Sequence, residues 1–115
     1  MSEKVLDVEE FMDRVQGDKD LFFELLDIFV QDFQGKRKEL EEAVKKQDVE
    51  TIKNVAHFLK GSCANISAKP MRAIFVRMEE KIAAGAMDTF GEDLAEIDQQ
   101  FEGLVTHIGE LRTAL

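Results

Sequence analysis

His57 is the residue best placed to do chemistry in this chain of 115 residues. A neutral imidazole is a nucleophile near neutral pH and can take up a phosphoryl group through a ring nitrogen. On a helix advancing about 100° per residue, Ile52, Ala56, Leu59, Cys63 and Ile66 cluster on one apolar side. His57 then points about 140° from the centre of that side, toward solvent. Lys53, Asn54, Lys60 and Gly61 are its neighbours one turn away. The two ammonium groups could stabilise added negative charge through charge-assisted hydrogen bonds. Gly61 and Ala64 lack the bulk that would keep a second protein's donor group at a distance. A glycine inside a helix costs about 1 kcal/mol relative to alanine, so something should compensate for Gly61. A lone exposed histidine is commonly just solvated, and geometry by itself leaves both readings open.

The charge around His57 adds a second signal. Thr51 to Met78 contains Lys53, Lys60, Lys69, Arg72 and Arg77 but neither Asp nor Glu, a stretch of +5 in a chain of net charge −9. A solvated face is the common explanation of such a run; an anion site or a docking face for an acidic partner is the functional one. Phe58 falls about 120° from the core centre and is placed to join an exposed docking patch.

Other chemistry is poorly supported. His107 lies beside Leu104 and Ile108, and Cys63 sits on the core face, so a partly buried histidine and a core thiol are expected. Two histidines on separate helices and one inward cysteine make no zinc pattern. Glu79-Glu80 and Glu41-Glu42 read as solvated helix surface. There is no glycine-rich phosphate loop, so nucleotide binding and autophosphorylation are not expected.

The elements that must position His57 read as helices throughout. Asp7 is placed to cap a short first helix, with Glu10 completing a box-like pair, and glycine at Gln16-Gly17 suits a left-handed end. Asp18 or Asp20 opens a second stretch toward Gln47, with Phe22, Leu25, Leu26, Phe29, Phe33, Leu40 and Val44 on its apolar face. Gly35-Lys36-Arg37 interrupts that face, leaving one bent helix or two. Phe23 is expected in the core with Phe22, Phe29 and Phe33. Asp48 caps the helix of His57, and Ser67-Ala68-Lys69-Pro70 makes a tight connection. Met71, Phe75, Met78 and Ile82 line the next helix, which stops at Ala84-Gly85. Leu94, Ile97, Phe101, Leu104, Ile108, Leu111 and Leu115 line the last. The fold class is therefore all-α: an antiparallel four-helix bundle with a short additional N-terminal helix, one domain over residues 1–115.

Composition bounds the setting. A charge of −9 argues against nucleic acid and anionic membrane surfaces as partners and favours a monomer. The single Cys63 favours a reducing compartment, Met1 to Glu10 lacks the apolar core of a signal peptide, and no apolar run approaches a membrane span. A cytoplasmic protein is expected.

The run Ala56-His57-Phe58-Leu59-Lys60-Gly61-Ser62-Cys63-Ala64-Asn65 resembles the signature of the histidine-containing phosphotransfer (HPt) domains of bacterial phosphorelays, close to A-H-x-L-K-G-S-x-x-N. Leu21 to Asp32 resembles that family's L-L-x-x-F-x-x-D helix, and Met71 to Glu79 its helix after the motif. The resemblance implies His57 as phosphoryl acceptor, Lys60 as the stabilising cation and Gly61 as the residue that keeps the surface open. Ser62 and Asn65 match positions that hold the helix and its turn in place, while Lys53 matches none. Where the family often has glycine, this chain has Ser67. Implied partners are a hybrid sensor histidine kinase and response-regulator receiver domains; Mg²⁺ belongs to the receiver, and the chain itself needs no metal or cofactor. The rival classes are a non-catalytic helical adaptor and a kinase-regulatory bundle, neither of which needs His57.

Overall fold

Aspartates open the first three helices of the computed structural model, which describes residues 5–115. Asp7 caps α1 (Val8–Arg14), Asp18 caps α2 (Lys19–Lys46) and Asp48 caps α3 (Val49–Asn65). Each carboxylate accepts a backbone N–H three residues on, at 3.0 to 3.2 Å. Such a cap contributes about 1 kcal/mol. Pro70 sits in the first turn of α4 (Lys69–Ala84), and α5 (Phe90–Ala114) completes the chain. Among the described residues there is no strand. The part of the expected leader-free stretch that falls in residues 1–4 lies outside the described residues.

The helices form the expected four-helix bundle. α3 packs between α2 and α4, while α5 closes the ring against α4 and α2; α1 lies across α2. Phe22, Leu26, Phe29 and Phe33 of α2 meet Leu59, Cys63, Phe75 and Ile97 in one continuous core. Burying each large side chain contributes about 1.5 to 3 kcal/mol. Phe11 of α1 joins that core, its ring 4.7 Å from Phe22.

Several details decide between sequence expectations or depart from them. α2 runs unbroken through Gly35-Lys36-Arg37, because Phe33 and Leu40 anchor both sides of that interruption in the core. Its cap is Asp18, and it ends at Gln47 in a left-handed conformation, φ 57°. Phe23 is only half-buried: it meets Phe22 edge-on at 5.1 Å and carries the Arg112 guanidinium over its other face at 4.7 Å. Leu115 follows the last turn of α5 and is exposed. Glu10 does not close a capping box. Its carboxylate instead accepts from the Ser67 hydroxyl at 2.9 Å and pairs with Lys69 at 2.7 Å and Arg14 at 3.0 Å.

That clasp explains the α3–α4 turn. Ser67 adopts φ 61°, a left-handed conformation that favours glycine, yet it is fully buried. Its carbonyl accepts the Asp7 N–H at 3.0 Å while its hydroxyl reaches Glu10, so α1 supplies bonds that hold a non-glycine residue there. At the far end of α4, the Asp93 carboxylate is 1% exposed and binds Arg77 and Lys81, each at 2.8 Å. This ion cluster about one buried carboxylate joins the start of α5 to α4.

Candidate functional site

α3 presents two faces. Ile52, Val55, Ala56, Leu59 and Cys63 are buried, and His57 stands on the opposite face with its side chain 74% exposed. Two turns of core contacts on each side fix the backbone beneath it, so the imidazole is held out from a rigid element. Lys53 and Ala64 are exposed on the same helix. A Cβ added at Gly61 would meet nothing within 4 Å, so packing within the chain does not demand glycine there.

One residue that sequence reasoning placed on plain solvated surface belongs to this site. Glu79 of α4 directs Oε2 toward His57 Nδ1 at 3.7 Å and Oε1 toward Lys60 Nζ at 2.9 Å. The carboxylate thus stands between imidazole and ammonium. The 3.7 Å approach is an electrostatic contact, too long for a hydrogen bond, whereas the Lys60 contact is a close ion pair. The Nδ1 edge of the ring therefore faces α4. A signal for Glu79 does exist in the sequence. His57 is eleven residues before Ala68 and Glu79 eleven after it, and an antiparallel hairpin about that turn brings such positions opposite each other.

Phe58 is 43% exposed, as its angle suggested, and Lys36 of α2 places Nζ 4.8 Å from the ring centroid. Lys36 is a second residue that the sequence did not single out, because no local spacing relates α2 to α3. Below Phe58 lies a shallow groove between α2 and α3, walled by Leu25, Ile28 and Ile66, with Asp32, Ser62 and Asn65 along it. The Ser62 hydroxyl donates to the Phe58 carbonyl at 3.1 Å, within its own helix. Asn65 contributes through its backbone: its carbonyl and that of Ala64 accept from Arg14 at 2.7 and 2.9 Å.

The +5 stretch is largely neutralised in three dimensions. Lys60 pairs with Glu79, Lys69 with Asp7 and Glu10, and Arg77 with Asp93 and Glu96, all carboxylates from outside the stretch or at its edge. Lys53 and Arg72 make none of the ion pairs among the described residues. The unpaired cation nearest His57 among the described residues therefore comes down to Lys53, while Lys36 beside Phe58 also pairs with Glu39 at 3.5 Å.

The remaining candidates stay apart from the site. His107 is half-buried and faces Glu110 at 3.5 Å. Cys63 is buried, and desolvation pushes its thiol up to about 12, so it is neither nucleophile nor ligand at neutral pH. Among the described residues, no three His, Cys, Asp or Glu side chains come together as metal ligands, and no helix is long and apolar enough to cross a membrane.

A family model described as the Hpt domain matches residues 24–111 of this chain. Among solved structures, the crystal structure of histidine-containing phosphotransfer protein B (HptB) from Pseudomonas aeruginosa PAO1 matches with a TM-score of 0.88. The two chains are 21% identical, and the match covers 99% of each. Likeness at that identity is likeness of fold. No curated protein sequence matches the chain.

Proposed function

We propose that this chain, which belongs to the Hpt domain family, carries phosphoryl groups on Nε2 of His57 between the receiver domains of a phosphorelay. The observation that carries this reading is the setting of one imidazole. His57 is 74% exposed on a rigid helix, with Nδ1 turned to Glu79, Lys60 one turn away and an unobstructed Gly61 beside it.

The chemistry is an in-line displacement. The Nε2 lone pair attacks the phosphorus of a receiver's aspartyl phosphate; the P–N bond forms as the P–O bond breaks, and the electron pair returns to the receiver's carboxylate. The reverse reaction hands the group to the next receiver. The chain supplies the nucleophile, a cation at Lys60 for the phosphoryl oxygens, and an open approach over Gly61 and Ala64. The receiver supplies its acidic pocket and Mg²⁺, so transfer needs both proteins. Phe58 with Leu25 and Ile28 offers an apolar seat beside the nucleophile, and Lys53 and Lys36 offer cations to an acidic partner. Ser62 and Asn65 keep the structural roles seen in their bonds. A hybrid sensor kinase stands upstream and a response regulator downstream, and the chain acts as a cytoplasmic monomer, a single Hpt unit with α1 packed on the bundle.

Intact-protein mass spectrometry tests this reading. The chain and His57→Gln are mixed with Mg²⁺ and phosphorylated receiver domains under conditions that preserve acid-labile phosphohistidine. One added phosphoryl group on the wild type alone is expected. No transfer from a broad receiver panel, with the fold intact by circular dichroism, would leave a helical adaptor as the better account.

A further inference from the structure

Glu79 confronts the proposed phosphoryl site with a negative charge, which is an odd neighbour for a residue that must hold an anion. In the free protein that charge is matched: Lys60 Nζ stands 2.9 Å from Glu79 Oε1, while Oε2 faces His57 Nδ1. Lys60 and Glu79 are about one-quarter exposed, at 27% and 28%, and although Oε1 itself is shielded from solvent, it is close to Lys60 without making a well-directed hydrogen bond. An ion pair in such a setting is weak enough to exchange partners. A phosphoryl group on His57 brings about −1.5 to −2 charges and three strong acceptor oxygens within reach of the same ammonium. One ammonium then serves two anions.

We propose that Glu79 is a positioning residue that promotes transfer. It parks Lys60 beside His57 in the unphosphorylated protein and yields it to the phosphoryl group. Its own carboxylate, left facing the phosphohistidine, then makes that state short-lived and drives the group onward. The inference rests on His57 being the acceptor. Few other charges offset Glu79 there: Lys53 lies one turn back on α3, Lys36 is held over the Phe58 ring and paired with Glu39, and Glu80 on α4 is exposed. No bond beyond those of the transfer itself is made or broken, because the step is an exchange of ionic partners.

Phosphoramidate, a small donor that needs no receiver, is used to load wild type, Glu79→Gln and Glu80→Gln. Decay of the phosphohistidine is followed by ³¹P NMR. Partition of the group against a receiver is measured separately. Glu79→Gln is expected to lengthen the half-life by roughly threefold to tenfold and to shift partition toward the loaded Hpt chain, the scale of one charge a few ångströms away in a half-wet site. Glu80→Gln, the same charge change one residue along, should leave both unchanged, and Glu79→Asp should restore wild-type behaviour in part. A role confined to tying α3 to α4 would alter thermal stability and leave lifetime and partition alone, and that result overturns the proposal. Wild type gives an independent check: the ¹⁵N-ammonium resonance of Lys60 should move on loading, and an unmoved resonance would also overturn it. Transfer from no receiver to wild type would instead sink the assigned function, whatever the decay rates of the chemically loaded proteins.

Discussion

Arg14 of α1 donates to the carbonyls of Ala64 and Asn65 at 2.9 and 2.7 Å, so the helix that carries His57 is closed at its C-terminus by a side chain fifty positions earlier. The last carbonyls of a helix have no partner within it, and a guanidinium there satisfies two of them while opposing the negative end of the helix dipole. The short N-terminal helix therefore clamps the element that positions the imidazole.

Replacing that clamp should loosen the fold without touching the chemistry. Arg14→Met is expected to lower stability by about 1 kcal/mol, with discount for the half-exposed guanidinium. For a domain of this size that is a fall in Tm of about 4 °C. Thermal unfolding followed by circular dichroism checks it, and an unchanged Tm would show that the clamp contributes nothing.

Gly61 separates stability from access. Since a Cβ there meets nothing, Gly61→Ala should stabilise the helix by about 1 kcal/mol. Gly61→Gln should keep most of that gain but slow transfer from a phosphorylated receiver by about tenfold or more, because its side chain stands in the approach to His57. Normal transfer rates in the glutamine variant would refute the role given to the open surface.

Lys60 should show the opposite profile. Its pair with Glu79 is partly solvated, so Lys60→Ala is expected to change stability by less than about 1 kcal/mol. Phosphoryl acceptance should fall by about tenfold, since the added oxygens lose their nearest cation and meet Glu79 unscreened. Rapid mixing with a phosphorylated receiver reads the rate directly; equal rates would remove Lys60 from the mechanism.

These profiles also mark how far the sequence could be read. The helices were legible because three-four spacing and the Asp7, Asp18 and Asp48 caps are local signals, and His57's exposure follows from its angle on α3. Gly35 was ambiguous because propensity alone suggests a break, whereas Phe33 and Leu40 fasten both flanks to the core. The +5 stretch misled for the same reason: composition counts charges along the chain, while Glu10, Glu79 and Asp93 neutralise them across it. Lys36 joins the site only through helix packing, whereas Glu79 is reachable from the sequence only once the α3–α4 hairpin is placed about Ala68. Leu115 keeps the spacing of a core residue but lies past the last turn of α5, and it is exposed.

The clasp between α1 and the α3–α4 turn should give way in acid. Glu10 is held below its ordinary value of 4.5, first by the Lys69 hydrogen bond and then by the Ser67 hydroxyl. Lys69 is held above its ordinary 10.5, first by Glu10 and then by Asp7. A carboxyl with a depressed folded value binds its proton more readily in the unfolded chain. Its contribution is therefore complete above pH 4.5 and is lost as pH falls through the folded value. The Lys69 contribution has the reverse sign, complete below 10.5 and lost as pH rises above it. Glu10→Gln should thus unfold at a lower temperature than wild type at pH 7, and the two Tm curves should converge once the wild-type carboxyl is protonated. Addition of salt at pH 7 should narrow the gap, because the pair is exposed to solvent. A Tm difference that persists undiminished well below pH 4.5 would show that Glu10 acts through its shape and hydrogen bonding to Ser67, independently of its charge.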